Sequence, residues 1–176
     1  MTTNQTRILI ILGSIVAAAA MRLVPHPANF APLGAMALFS GAYLGRRALA
    51  FAAPLGALLL SDLILGFYPG MLVQYVSVAL VVLLGSGVLG RITALRVGGA
   101  AVASSALFFA LTNFGVWLLS GMYPQTLSGL AACYVAAVPF FQNTVAGDLF
   151  FSAALFGGFA LLERAVPSLR GEPQPA

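Results

Sequence analysis

Apolar runs of membrane-spanning length recur from one end of this chain to the other, and nothing between them is long enough to hold a second kind of domain. They occupy residues 8–24, 32–45, 48–66, 71–89 and 97–120, followed by a double-length stretch over 127–162. A helix needs about 20 residues to cross the ~30 Å hydrocarbon core. Of the 176 residues, 61% are hydrophobic and 7% charged, whereas soluble domains carry charge on about a quarter of theirs. An ordinary water-soluble fold is excluded. The expectation is an all-α membrane protein with a single transmembrane domain over 1–176. Its Gly and Pro are scattered through apolar runs, where neighbouring helices can re-satisfy the backbone.

The long last run contains Pro139 and the polar triplet Gln142-Asn143-Thr144. Proline removes an intrahelical donor, so this run is read as a short helical or partly inserted segment at 127–138 and a full span at 139–162. Six spans result. The second is short for a bilayer, which implies tilt, extension through Asn29-Phe30-Ala31, or shielding by its neighbours. The N-terminal run, preceded by Arg7 and containing Ala17 to Ala20, is read as a retained span rather than a cleaved signal.

Charge then chooses a side. In a six-span path, Arg7, Arg46, Arg47, Arg91, Arg96, Arg164 and Arg170 fall on one side and only Arg22 on the other. The positive-inside tendency predicts that both termini are cytoplasmic and that the 22–31, 67–70 and 121–126 connections face outward. A bacterial cytoplasmic (inner) membrane location follows as the expectation. The basic balance is topological, and no basic-aromatic surface suggests nucleic acid.

Polar residues gather toward the outward half in four groups. The first is Arg22 with His26 and Asn29, held by Pro25 and Pro27, which restrict the residues before them. The second is Ser61-Asp62 with Tyr68-Pro69 beyond it. Asp62 lies about a turn inside its span, where a lone carboxylate is expensive, so it either pairs with Arg22 or, alone or with Arg22, faces a ligand cavity. The third is Thr112-Asn113, with Trp117 a turn outward and Tyr123 in the next connection. Tyr68, Trp117 and Tyr123 also suit headgroup anchoring. The fourth is Gln142, Asn143, Gly147 and Asp148. Two acids against one outer basic residue leave a carboxylate that must be neutral, paired with a ligand or cation, or hydrogen-bonded to Asn or His groups. A polar cavity is expected.

Small residues at four-residue spacing, Gly13 and Ala17, Gly41 and Gly45, and Ala48, Ala52 and Gly56, allow close helix contact. No phosphate-binding loop, HExxH or cysteine cluster is present, and His26 and Cys133 are single. Neither an enzyme nor a resident cofactor or metal is expected.

Pro25-His26-Pro27-Ala28-Asn29-Phe30-Ala31-Pro32, Leu38 to Tyr43, Pro54, Ser61-Asp62-Leu63, Thr112 to Trp117, Tyr123-Pro124, Cys133-Tyr134, Pro139 to Thr144 and Gly147-Asp148 resemble an uncharacterised family of small bacterial membrane proteins. The six-span layout, Ala- and Gly-rich helices, short loops and outward polar cluster are more remotely similar to the substrate-binding S component of energy-coupling-factor vitamin transporters. That resemblance implies a vitamin-like solute bound on the outer side, with a transmembrane coupling subunit and ATPases as partners. Some solitary relatives of that class are associated with cobalamin uptake, one through a thiolate, to which Cys133 does not correspond. The functional expectation is a small-solute uptake component whose pocket includes Arg22, His26, Asn29, Asp62, Asn113, Gln142, Asn143 and Asp148, with Tyr68, Trp117 and Tyr123 near its entrance. The alternative is an accessory subunit of a membrane complex, in which membrane lipid and a partner protein occupy the surface and the polar groups are satisfied internally.

Overall fold

The computed structural model describes residues 3–170; the first two and last six residues, to which the expectation of cytoplasmic termini also applies, lie outside the described range. The described residues form six α-helices and no strand: α1 (Thr3–Ala20), α2 (Leu33–Leu44), α3 (Ala48–Leu65), α4 (Met71–Val88), α5 (Ala94–Leu119) and α6 (Leu127–Ala165). Short 3₁₀ turns at Met21–Leu23 and Pro167–Leu169 follow α1 and α6. Five helices are long and apolar enough to cross a membrane, with α1 and its following turn counted as Asn4–Leu23. Large apolar side chains such as Leu60, Ile64, Leu72, Val135 and Phe150 cover their outer faces. The architecture is that of an all-α, multi-pass membrane protein.

The sixth helix is different. At 12 residues, α2 is about 18 Å long, well short of the hydrocarbon core. It packs against each of the other five helices, and every residue except Ala42 and Tyr43 is buried. This explains its composition, LGAMALFSGAYL, which is apolar on all sides as a helix with no lipid-facing or water-facing stripe should be. Of the three accommodations expected for the short second span, shielding by neighbours is the one adopted.

Packing in a membrane cannot draw on the expulsion of water, so it relies on close contact. The tightest example is α2 against α4. A Cβ on Gly41 would lie 2.9 Å from the Ser86 backbone nitrogen, and one on Gly85 would lie 2.9 Å from the Leu38 Cα. Gly41 was legible as a small-residue position. Gly13, Gly45 and Gly56, by contrast, have open space where a side chain would project, so the other four-residue patterns do not seal this bundle internally.

Helix directions follow from side-chain contacts. Arg22 at the end of α1 reaches Leu58, Ser61 and Asp62 near the end of α3, so α1 and α3 run parallel. Tyr43, late in α2, packs edge-on against Phe159, late in α6, and α2, α4 and α6 run the opposite way. The seven arginines expected on one side therefore share one end of the bundle, with Arg22 at the other. The arginine-rich end is closed by Arg7, which pairs with Glu163 at 3.2 Å, donates from Nε to the Leu169 carbonyl at 2.9 Å, and lies over the Tyr43 and Phe159 rings.

The expected division at Pro139 does not occur. One 39-residue helix runs from Leu127 through Pro139 to Ala165, about 58 Å in length. Proline frees only the carbonyl of Val135, and one unmatched acceptor does not end a helix whose neighbouring turns remain bonded. The first turns of α6 instead return along α5: Tyr134 donates to the Ala110 carbonyl at 2.6 Å, and Phe109 packs against both Tyr134 and Phe141. The segment 127–138 is thus the start of the returning arm of an α5–α6 hairpin.

Candidate solute cavity

Because α2 begins deep in the bundle, the chain leaving α1 must turn back and descend. Residues 24–32 do so without regular structure. Asn29 adopts a positive φ of 63°, a conformation Asn tolerates better than most residues. The Asn143 side-chain amide donates to the Ala28 carbonyl at 2.9 Å, and Phe30 packs against Phe150 and Phe151. The descent ends at Pro32, which precedes α2 and supplies no side-chain cap.

The first turn of a helix exposes N–H groups without intrahelical acceptors. Here α6 places a carboxylate beside them. Asp148, 2% exposed, accepts a hydrogen bond from Ser105 Oγ at 2.7 Å, and Ser104 and the backbone N–H groups of Gly34 and Ala35 also face its carboxylate. A carboxylate from one helix thereby sits against the start of another, where its charge is aligned favourably to the α2 dipole. Gly34 makes the approach possible, since a Cβ there would run into the Asp148 oxygens and Ser104 Oγ.

The second buried acid has another solution. Asp62, fully buried, pairs with Arg22 through Oδ1 at 2.8 Å and accepts from the Tyr75 hydroxyl through Oδ2 at 3.0 Å. Arg22 also donates to Ser61 Oγ and the Leu58 carbonyl. The Arg22–Asp62 pairing weighed from sequence is therefore present, with Arg22 between Asp62 and the space beyond.

That space consists of two chambers. The inner one, about 230 Å³, is bounded by Arg22, His26, Asn29, Gly34, Gln74, Phe108, Thr144 and Asp148, among others. The outer one, about 300 Å³, includes Tyr68, Thr112, Asn113, Phe109 and Phe140. Asn29, Gln74, Phe108 and Thr144 line both, joining them into one cleft at the end opposite the seven arginines. Tyr68 donates to Gln74 Oε1 across its mouth. Burial pushes the Tyr68 phenol up to about 12, with Asp62 adding to the rise and Arg22 opposing it, so it remains a donor at neutral pH.

Of the residues singled out from sequence, Arg22, His26, Asn29 and Asp148 meet in the inner chamber, and Asn29, Tyr68 and Asn113 in the outer. Five lie elsewhere. Asp62 is covered by Arg22 and its own neighbours. Asn143 is occupied by Ala28, and Gln142 is exposed on another face of α6. Trp117 Nε1 donates to the Pro124 carbonyl at 2.9 Å, so it braces the α5–α6 turn, and Tyr123 belongs to the same turn without lining either chamber. Asn113 reaches the outer chamber but donates its amide back to the Phe109 carbonyl at 2.8 Å. Gln74, Phe108 and Thr144 were missed. Gln74 had a usable signal, as the one amide in an apolar helix; Phe108 had none.

A half-length buried helix ringed by five long apolar ones, with a polar cleft above its N-terminus, defines a polytopic membrane protein with an end cavity. The chain belongs to a family of unknown function, DUF6580, whose family model matches residues 2–169. No curated protein and no solved structure matches it.

Proposed function

We propose that this protein is an inner-membrane component that binds a small solute from the outer side for uptake, and that it acts by binding and movement rather than by covalent chemistry. The observation that supports this most is the cleft itself. Its inner chamber brings a guanidinium, a carboxylate, an imidazole and two amides together around one space, and such convergence of polar groups in an otherwise apolar protein is the usual form of a binding site. A short helix that begins inside the bundle beside that space is similar to the half-helices from which many transporters build a solute site.

Sidedness is part of the proposal. With seven arginines at the far end, the positive-inside tendency puts both termini in the cytoplasm and opens the cleft outward. The similarity to energy-coupling-factor S components is one of layout, and it supports a vitamin-like solute and a coupling subunit with ATPases as partners.

The accessory-subunit reading has its own support in the internal satisfaction of Asp62, Asn113 and Asn143. Gentle purification from the native membrane, followed by denaturing release and mass spectrometry, separates the two. A solute at one equivalent per chain is the expected result. Repeated absence of any solute, with a membrane protein retained in its place, would overturn the uptake reading in favour of the accessory one.

A further inference from the structure

We infer that the solute is a small organic monocation: an amine whose positive group approaches Asp148, whose apolar or aromatic body lies along Phe108, Phe109 and Phe140, and which carries one uncharged hydrogen-bond acceptor at some distance from the amine. This rests on the reading of the cleft as a solute site, and the charges around the cleft decide the ligand class.

Among the described residues, this end of the bundle carries two carboxylates and one guanidinium, with His26 as the remaining titratable group that lines the inner chamber. The Arg22–Asp62 contact at 2.8 Å consumes one of each. Asp148 has no cation in contact; its partners are a serine hydroxyl and the dipoles at the start of α2. Dipoles hold a carboxylate in place, but they leave its net charge uncancelled. That charge borders the inner chamber, where low-dielectric walls focus its field on whatever enters. A carboxylate or phosphate ligand would meet repulsion from Asp148, while the guanidinium that could receive it is already paired. An amine meets attraction at the floor and aromatic faces on the way in, which favour cations.

Gln74 adds the second requirement. Its Oε1 accepts from Tyr68, whereas its Nε2 is buried without a partner. Because Gln74 lines both chambers and Asp148 only the inner one, the acceptor that satisfies Nε2 sits at the junction, away from the amine. An unmet buried donor costs free energy in the empty protein, and a ligand oxygen or ring nitrogen would remove that cost.

The test uses the full-length protein in lipid nanodiscs and equilibrium dialysis with three probes that share a ring and hydroxyl but differ in charge: tyramine, tyrosine and 4-hydroxyphenylpropionate. Tyramine is expected to bind saturably, at least about tenfold tighter than tyrosine, with no measurable binding of the acid. Asp148→Asn should weaken tyramine about tenfold or more, as loss of a charged hydrogen-bond partner does. Gln74 is not among the groups around the Asp148 carboxylate, so Gln74→Leu remains informative if Asp148→Asn fails to fold. It should weaken tyramine by about 3- to 10-fold and leave phenethylamine, which lacks the hydroxyl, unchanged. Equal or tighter binding of the acid or of tyrosine overturns the inference, as does unchanged tyramine affinity in Asp148→Asn. If none of the three probes binds, the solute released from the native protein decides. A released cation sustains the inference; a neutral or anionic solute overturns it but leaves the uptake reading standing; and release of no solute removes both.

Discussion

Asp62 and Asp148 are both buried carboxylates in a bundle nearly free of charge, yet they are held by different physics. Asp62 has a cation, Arg22 at 2.8 Å, and a phenol, Tyr75 at 3.0 Å. Asp148 has a serine hydroxyl at 2.7 Å and the open N–H groups of a helix that starts beside it. An ion pair cancels charge and locks two helices. A hydroxyl and the dipole of a helix start hold a carboxylate while leaving a negative centre that a cavity can use. Asp62 is accordingly sealed from both chambers and Asp148 borders one. The depth of an acid in a membrane therefore says little about its role until its partners are known.

The largest effect should come from breaking the ion pair on one side only. Arg22→Met leaves Asp62 buried without its cation, and such removals cost about 3–5 kcal/mol. The double variant Arg22→Met with Asp62→Leu removes both charges and should recover most of that loss, because a buried pair is often replaceable by apolar side chains of similar volume. Denaturation in mixed micelles reads both variants. Equal stability of Arg22→Met and the wild type would show that the contact contributes nothing, and the contrast between the two acids would lose its first half.

Gly34→Ala attacks the other acid through its partner helix. The added methyl group runs into the Asp148 oxygens and Ser104 Oγ, so α2 or α6 must shift, at about 1–3 kcal/mol for an overpacked site. Gly13→Ala in α1 is the matched control, with open space around the new methyl and a change within about 0.5 kcal/mol. Similar melting of the two variants would mean that α2 does not start against Asp148.

Much of this was legible in sequence and part of it was not, for identifiable reasons. Apolar runs fix the helices because insertion depends on hydrophobicity added up over a window, and the bounds of α3 and α4 differ from expectation by no more than a residue at either end. The Arg22–Asp62 pair was legible because sign and depth nearly determine a partner when so few charges exist. The continuity of α6 across Pro139 was not, since local propensity argues for a break and only contacts with α5 favour the long helix. The placement of Asp148 against the start of α2 was also hidden. Among the alternatives considered for an unmatched carboxylate, none was the backbone of another helix, because a helix start buried at mid-depth has no signature beyond the shortness of its apolar run. Phe108 shows the same limit at the cleft: one phenylalanine among thirteen carries no mark of the face it occupies.

Tyr75→Phe trims the Asp62 side without touching the cation. It removes the 3.0 Å hydrogen bond to Oδ2 and keeps the ring, so the expected loss is about 1.5 kcal/mol, the lower end for a hydrogen bond to a charged group. In the Asp62→Leu background the same substitution should cost less, because the hydroxyl then has no carboxylate to meet. A double-mutant cycle measures this coupling. Additive costs would show that Tyr75 stabilises the bundle through packing alone.

Asp148→Asn should have the smallest effect on stability and so draws the comparison most sharply. Asparagine keeps the shape of aspartate: its side-chain oxygen can still face the start of α2, and its amide nitrogen can turn toward Ser105 or Ser104. What disappears is the negative charge and its interaction with the helix dipole, about 1 kcal/mol. Asp62→Asn, by contrast, leaves the largely buried Arg22 guanidinium without its counter-ion and should cost several times as much. The two Asn variants, compared in the same micelles and at the same temperature, thus rank the acids by what each one's charge does for folding. If Asp148→Asn proves the costlier, the charge of Asp148 is needed to hold α2 in place, and Asp148 belongs with Asp62 as a structural ion rather than as the negative floor of a binding site.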